Sequence, residues 1–316
     1  MKVEKSLQVN TQNGIALITV MLVLTVVTVA LVSMSSDRQM DIRRTENQLR
    51  SIQTWESVYG LEAWAENQLK LDFDKNKYDT LTDIWSKPLT LKPTLEGSVK
   101  SDIIELQGRI NLNNLLVDGK ASDEDVQRLK RLFINLNMKP DLVDAMLDWM
   151  DSDMEIRYPH GAEDETYAKL KPPFRSANAP FADISELLRI QGITLNDYKK
   201  LLPYIYVADS YEPININTAS VEVLRTFAAN MKKDRAESIY RASGKPFEEV
   251  EEFLKDEAME GISINKESIS VESHYFLLSG QIDMEKNGLK FQSQLYRDKL
   301  GGVSVVKRLR RSLVDG

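Results

Sequence analysis

The stretch IALITVMLVLTVVTVALV at residues 15–32 holds no charge, no Gly and no Pro. At about 1.5 Å per residue, a helix over residues 14–36 spans roughly 33 Å, enough for the hydrocarbon core of a bilayer. Its threonines, Thr19, Thr25 and Thr28, suit lipid because each hydroxyl can bond back to a carbonyl of its own helix. A buried helix of a soluble protein rarely stays this apolar for so long. A secretory signal peptide ends in a small-residue cleavage site, where this segment reads SMSSDRQMD. One membrane anchor is predicted, and it does not end at the membrane. No Pro or Gly follows Asp37 until Gly60, and apolar residues recur at Ile42, Leu49, Ile52, Trp55, Tyr59 and Ala63 with helical spacing. A single helix over residues 15–70, on the order of 80 Å long, is transmembrane over 15–36 and amphipathic beyond.

The rest has the composition of a folded protein. Of 316 residues, 42% are hydrophobic and 28% charged, too apolar a balance for global disorder, and the length suggests about two modules. A mean hydropathy of −0.35 excludes a polytopic membrane protein. The net charge of −7 argues against broad attraction to nucleic acid. The absence of cysteine removes disulfides, thiolate zinc sites and a cysteine nucleophile. With two histidines, His160 and His274, no nucleophile–base pair for a membrane-anchored hydrolase stands out.

Residues 102–107 (DIIELQ) read as a strand, extended by residues 110–113. Residues 268–284 are rich in β-branched and aromatic side chains, Lys286-Asn287-Gly288 marks a hairpin turn, residues 289–296 (LKFQSQLY) alternate with period two, and residues 302–309 add a last strand. Residues 114–265, between them, read as helical. Ser122 is placed to cap DEDVQRLKRLFINL, and Pro140 stands in the first turn of DLVDAMLDWM. Two later blocks resemble each other loosely: FADISELLRIQGITLNDYKKLLPYIYV and ININTASVEVLRTFAANMKKDRAESIYRASGKPFEEVEEFL. The turn Ile190-Gln191-Gly192-Ile193 has the shape of a helix-hairpin-helix. The fold class is therefore α+β, a small antiparallel sheet with a large all-α domain inserted.

Two constellations bear on chemistry. Arg189, Lys199 and Lys200 flank the hairpin turn, but so do Asp183, Glu186 and Asp197, which favours protein docking over DNA-backbone binding. Asp148, Asp151, Asp153, Glu155, Glu163, Asp164 and Glu165 form an acid-rich loop with Pro159 and Gly161. Hard oxygen ligands on a flexible loop suit Ca²⁺, though the spacing is not that of an EF-hand, and composition alone favours a solvated acidic loop. His160 reads as a surface residue and KRLRRS at residues 307–312 as solvated charge.

The leader MKVEKSLQVNTQNG, ending in Gly14 before an abrupt apolar helix, resembles type IV prepilin-like proteins. The resemblance implies that a prepilin peptidase removes residues 1–14, cutting after Gly14, and methylates Ile15. Most of these proteins begin the mature chain with Phe or Met and carry Glu as its fifth residue; here those positions are Ile15 and Thr19. A missing acid is similar to the K-type minor pseudopilins of the type II secretion system. The words DWMDSD (148–153), GAEDETY (161–167), RSANAP (175–180), ELLRIQGI (186–193) and ININTAS (214–220) carry the same likeness.

By that resemblance, residues 71–113 and 266–316 form a pilin-like domain around the helical insert at 114–265. The chain is a single-pass protein of the bacterial inner membrane, N-terminus cytoplasmic and body periplasmic, although Arg38, Arg43 and Arg44 against Lys2 and Lys5 favour the opposite orientation by charge count. It caps the pseudopilus tip and helps start its assembly for protein export. Its partners are I- and J-type minor pseudopilins, met through Ile42, Leu49, Ile52, Trp55 and Tyr59. It is not an enzyme and binds no nucleic acid. Calcium belongs in the insert, with Asp151, Asp153, Glu163 and Asp164 as ligands. A carboxylate in the membrane is costly unless paired, so a tip subunit with no neighbour ahead suits Thr19. The alternatives are a tip minor pilin of a type IV pilus and a membrane-tethered DNA receptor using the hairpin turns.

Overall fold

The computed structural model describes residues 12–91, 97–242, 244–284 and 287–312. The leader up to residue 11 lies outside them. The chain divides into two compact units, Met1–Tyr59 and Gly60–Gly316. Every described residue of the first belongs to helix α1, Gln12–Lys75, and its apolar stretch is long enough to cross a membrane. The helix runs five residues past the expected end because residues 70–75 contain no breaker, and its buried side continues through Leu69 and Asp72.

In the second unit, five strands form one antiparallel sheet. In spatial order they are β1 (Leu89–Leu91), β2 (Gly97–Glu105), β9 (Tyr275–Met284), β10 (Asn287–Arg297) and β11 (Val303–Ser312). Alternation sets the buried face: Ile103 on β2, Phe276 and Leu278 on β9, and Leu289, Phe291 and Leu295 on β10. Leu61, Ala65 and Leu69, one helical turn apart, are the buried apolar side of α1 in this unit. Glu62, also on α1, accepts hydrogen bonds from Ser293 Oγ at 2.6 Å and from Arg308 Nε and guanidinium N–H at 2.8 and 2.9 Å, tying the helix to β10 and β11.

Two strand expectations need correction. Asn287 and Gly288 are not a turn: they belong to β10 and pair with Met284 and Asp283, while Lys286 lies outside the described residues. The register that places Leu289 opposite Ile282 and Phe291 opposite Gly280 sets this. Nor does Ile110-Asn111 extend β2. It is a separate strand, β3 (Ile110–Asn111), pairing parallel with β6 (Ile205–Tyr206). The insert leaves the sheet after Glu105 and returns at Tyr275, where Leu106 N donates to Tyr275 O at 3.0 Å. Buried Glu105 seals that crossing by accepting from Gly108 N at 2.9 Å and Ser273 Oγ at 2.7 Å. The expected bounds of 114–265 lie inside the observed insert.

The insert begins with β3 and a two-strand hairpin, β4 (Leu116–Val117) with β5 (Lys120–Ala121). Helices α2 (Asp123–Asn135), α3 (Leu142–Met150), α4 (Asp164–Tyr167) and α5 (Leu195–Leu201) follow, and the chain then reaches β6. Next come β7 (Ile214–Asn215), α6 (Val221–Leu224), α7 (Lys233–Ile239), α8 (Val250–Leu254) and β8 (Ile269–Ser270), with β7 and β8 pairing parallel. One core unites the domain, with Phe133, Trp149, Tyr167, Phe181, Leu224 and Phe253 buried in it.

These elements form an internal duplication. Ile110-Asn111-Leu112-Asn113 matches Ile214-Asn215-Ile216-Asn217 in sequence and bonding. The first Asn of each accepts from the N–H two residues on, at 3.2 and 2.9 Å. The second exchanges two hydrogen bonds with a phenylalanine backbone: Asn113 with Phe181 and Asn217 with Phe247. Ser122 and Ser220 cap α2 and α6, and the αL glycines Gly192 and Gly261 open GITLN and GISIN. The repeat therefore pairs residues 110–206 with 214–270, not the two blocks quoted above, because each Asn clamps a Phe far along the chain. The copies differ most between helix and Phe. The first spends residues 151–180 there and the second residues 240–246. The acid-rich loop is the first copy's addition.

Candidate metal centre and assembly helix

Helix α3 is buried along most of its length and ends at Met150, delivering Asp148 and Asp151 to its C-terminal turn. There the helix carbonyls disfavour anions and favour a cation. Asp148, Asp151 and Glu163 are 0%, 3% and 2% exposed, while Asp153 is exposed. One oxygen each of Asp151, Asp153 and Glu163 lies within 4.8 Å of the others. Arg157 answers part of this charge: its guanidinium donates to Asp151 Oδ2 at 2.8 Å, and its backbone N–H donates to Asp148 Oδ2 at 3.1 Å. Asp148 Oδ1, Asp151 Oδ1 and Glu163 Oε1 remain buried without a hydrogen-bond partner. Burial, with Asp148, Asp151 and Asp153 beside it, pushes Glu163 up to about 7. Burial, with Asp151 adding, pushes Asp148 up to about 6 against the pull of Arg157.

This donor set fits calcium, which takes several oxygens at about 2.4 Å and so holds them within roughly 4.8 Å of one another. Of the four residues expected to act, the structure brings together Asp151, Asp153 and Glu163. Asp164 is outside the group: at the start of α4, its Oδ1 accepts from Ser176 N and Oγ at 2.9 and 2.8 Å. Asp148 takes the place beside the group. Its i,i+3 spacing to Asp151 across the end of α3 was the available signal.

On α1, Ile42, Leu49, Ile52 and Tyr59 are exposed and Trp55 is half-buried, with the Trp55 and Tyr59 rings 6.0 Å apart. Thr19 Oγ1 donates within its own helix, to Ile15 O at 3.2 Å and Ala16 O at 2.9 Å. Gly14 and Ile15 lie in the first turn of α1.

At the hairpin, Gly192 has φ +88° between the 3-10 helix Ile184–Arg189 and α5. Asp183 with Glu186, and Thr194 with Asp197, form capping boxes at the two helix starts. His160 is exposed, with Nε2 3.7 Å from Asp141 Oδ2. The basic tail is not simply solvated charge: Lys307 pairs with Asp183 at 2.7 Å and Arg308 with Glu62, since β11 lies against both acids.

Two family models, both described as type II secretion system (T2SS), protein K, match at residues 108–210 and 214–272, which correspond to the two copies of the repeat. Type II secretion system protein K of Pseudomonas aeruginosa is 34% identical over 311 residues, covering 94% of this chain and 92% of that protein. The Aeromonas hydrophila protein K is 31% identical over 226 residues, covering 67% and 68%. The chain also matches a crystal structure of the GspK-GspI-GspJ complex from enterotoxigenic Escherichia coli. The TM-score is 0.75 at 26% identity, with 85% of this chain and 99% of that one covered. With its apolar N-terminal helix, antiparallel sheet and duplicated helical insert, the chain belongs to the type II secretion system protein K family and is a minor pseudopilin of that system.

Proposed function

We propose that this minor pseudopilin caps the tip of the periplasmic pseudopilus and starts its assembly for protein export, joined to I- and J-type minor pseudopilins through the N-terminal helices. The exposed apolar row Ile42, Leu49, Ile52 and Tyr59 carries the reading, since contiguous apolar surface on an otherwise polar stretch of helix calls for a partner. The related GspK occurs in a complex with GspI and GspJ, which supports it. Thr19, satisfied within its own helix, suits a subunit with none ahead. The peptidase cut after Gly14, methylation of Ile15, a cytoplasmic N-terminus and a periplasmic body in the inner membrane belong to the same reading. So does the lack of a catalytic role, with His160 Nε2 3.7 Å from Asp141 Oδ2 and His274 Nδ1 3.1 Å from Glu212 Oε2. The test is co-purification of the tagged full-length chain with I- and J-type pseudopilins from detergent-solubilised membranes. Leu49→Asp with Ile52→Asp is expected to lower partner recovery at least about tenfold, a change of 1.4 kcal/mol or more. Undiminished recovery rejects the face.

The acid loop is proposed to hold Ca²⁺ through Asp151, Asp153 and Glu163 with Asp148 beside them. The ion supplies positive charge to a group that Arg157 only partly neutralises. DNA binding is not favoured: Asp183 and Asp197 already use the helix-start amides that a phosphate would need, and Lys307 is paired with Asp183.

A further inference from the structure

A second group of carboxylates gathers where α1 ends. Asp72 stands in its last turn, Asp79 in the run that follows, and Asp83 at the N-cap of the 3-10 helix Ile84–Ser86. One oxygen of each lies within 4.8 Å of the others. Asp72 is 3% exposed and Asp79 1%. Their protein partners are few. Asp83 Oδ2 accepts from Thr80 N at 2.6 Å, and Asp79 Oδ2 accepts from Ser273 N at 2.7 Å and from the Arg297 guanidinium. Asp72 Oδ2 and Asp79 Oδ1 are buried with no hydrogen-bond partner. The Trp85 indole N–H favours the charged form of Asp72 without making a hydrogen bond of full geometry. Burial, then Asp83 and Asp79, pushes Asp72 up to about 7.

The charge does not balance. One guanidinium meets three carboxylates, and the Lys77 ammonium stands over the Phe73 ring, 3.3 Å from its centroid. The C-terminal carbonyls of α1 add negative potential at the same place. Buried carboxylate oxygens without partners are costly. A proton on Asp72 removes one charge and leaves Asp79 Oδ1 unsatisfied. With all three carboxylates ionised, a divalent cation balances the two charges that Arg297 leaves and has a coordination place for both orphaned oxygens.

We propose that Asp72, Asp79 and Asp83 form a divalent-cation site of the calcium type, separate from the acid-rich loop. The spread of the three oxygens matches an ion with ligands at about 2.4 Å. Such an ion clamps three parts of the body together. Asp79 also donates its N–H to Val271 O at 2.8 Å and accepts from Asn215 Nδ2 at 3.2 Å, both in the insert, and Arg297 ends β10. The end of α1, the sheet and the returning insert thus meet at one charge centre.

The test is the number of calcium ions bound by the full-length chain in detergent micelles, stripped with chelator and then dialysed to equilibrium against Ca²⁺. Wild type is expected to bind two equivalents, Asp72→Asn one, Asp153→Asn one, and the double variant none. Asp83→Asn keeps an acceptor for Thr80 N and carries the same expectation as Asp72→Asn should that variant not fold. A single wild-type equivalent that survives Asp153→Asn and is lost in Asp72→Asn supports this site and removes the one in the loop. Full retention of the wild-type count in Asp72→Asn or Asp83→Asn, or no ion bound by Asp153→Asn, overturns the site.

Discussion

Gly161 lies so close to Asp148 that a Cβ built on it would stand 2.1 Å from Asp148 Oδ2 and 2.4 Å from Arg157 O. The loop is wound around the carboxylate, with Gly161 N donating to Arg157 O at 2.6 Å and Arg157 N donating to Asp148 Oδ2. Gly161→Ala must push this turn off Asp148. It is expected to cost about 1–3 kcal/mol, as overpacking of a close-packed site does, and more in calcium than in chelator because the donor group is displaced too. Thermal unfolding of the full-length chain under both conditions measures this; an unchanged melting temperature in both rejects the tight turn.

The acid loop should couple calcium to pH. Asp148 and Glu163 are raised to about 6 and about 7, so between roughly pH 4 and pH 7 the folded form holds protons that the unfolded form has released. Metal-free stability therefore falls as pH rises through this window and levels off above it. Calcium competes with those protons, so its stabilisation is greatest above pH 7 and shrinks towards pH 5. At a hundredfold excess over the dissociation constant it amounts to about 2.7 kcal/mol. Mg²⁺ should do much less, and Asp153→Ala should remove most of the response. The Asp72→Asn background isolates the loop, because Asp72 is raised in the same direction. A calcium effect equal at pH 5 and pH 7.5 contradicts the assignment.

What could be read in advance was what the chain writes locally. The anchor is a run of neighbours, Ser122 caps a helix that starts at the next residue, and β10 alternates within itself. Readings failed where the deciding partner is remote. Asn113 acquires its meaning from Phe181 and Asn217 from Phe247, so the duplication does not coincide with the two blocks that resemble each other loosely in sequence. Ile110 looked like the tail of β2 until Ile205 paired with it. Asp164 and Asp148 are equally acidic in the sequence. Only the fold spends Asp164 on Ser176 and buries Asp148 beside Asp151.

The Glu62–Arg308 pair should behave asymmetrically. Glu62 is buried, whereas the Arg308 side chain is 44% exposed and already reaches water. Glu62→Ala leaves the Ser293 hydroxyl short of an acceptor and is expected to cost about 1–3 kcal/mol. Arg308→Ala strands a buried carboxylate and should cost more, about 3 kcal/mol. Urea denaturation midpoints of the two variants check the order, and an equal or reversed order refutes the account.

Cleavage is expected between Gly14 and Ile15, and mass spectrometry of the mature chain should find methylated Ile15. Gly14→Val should block it, because the scissile bond needs a small residue beside it. An intact Met1 in the mature protein, or a cut within residues 33–36, rejects the leader.

Thr19→Glu is expected to be harmful or neutral for secretion. The Thr19 hydroxyl is satisfied by Ile15 O and Ala16 O, so the native side chain asks nothing of a neighbouring chain. A glutamate there puts an ionisable group at membrane depth, which costs a few kcal/mol unless an opposite charge meets it. In the proposed tip placement no subunit stands ahead to supply that charge. Secretion by cells carrying the variant, compared with wild type at equal protein level, measures the effect. Faster secretion or more frequent pseudopilus initiation with Glu at this position would mean that a partner amine is present, and the tip placement would fall.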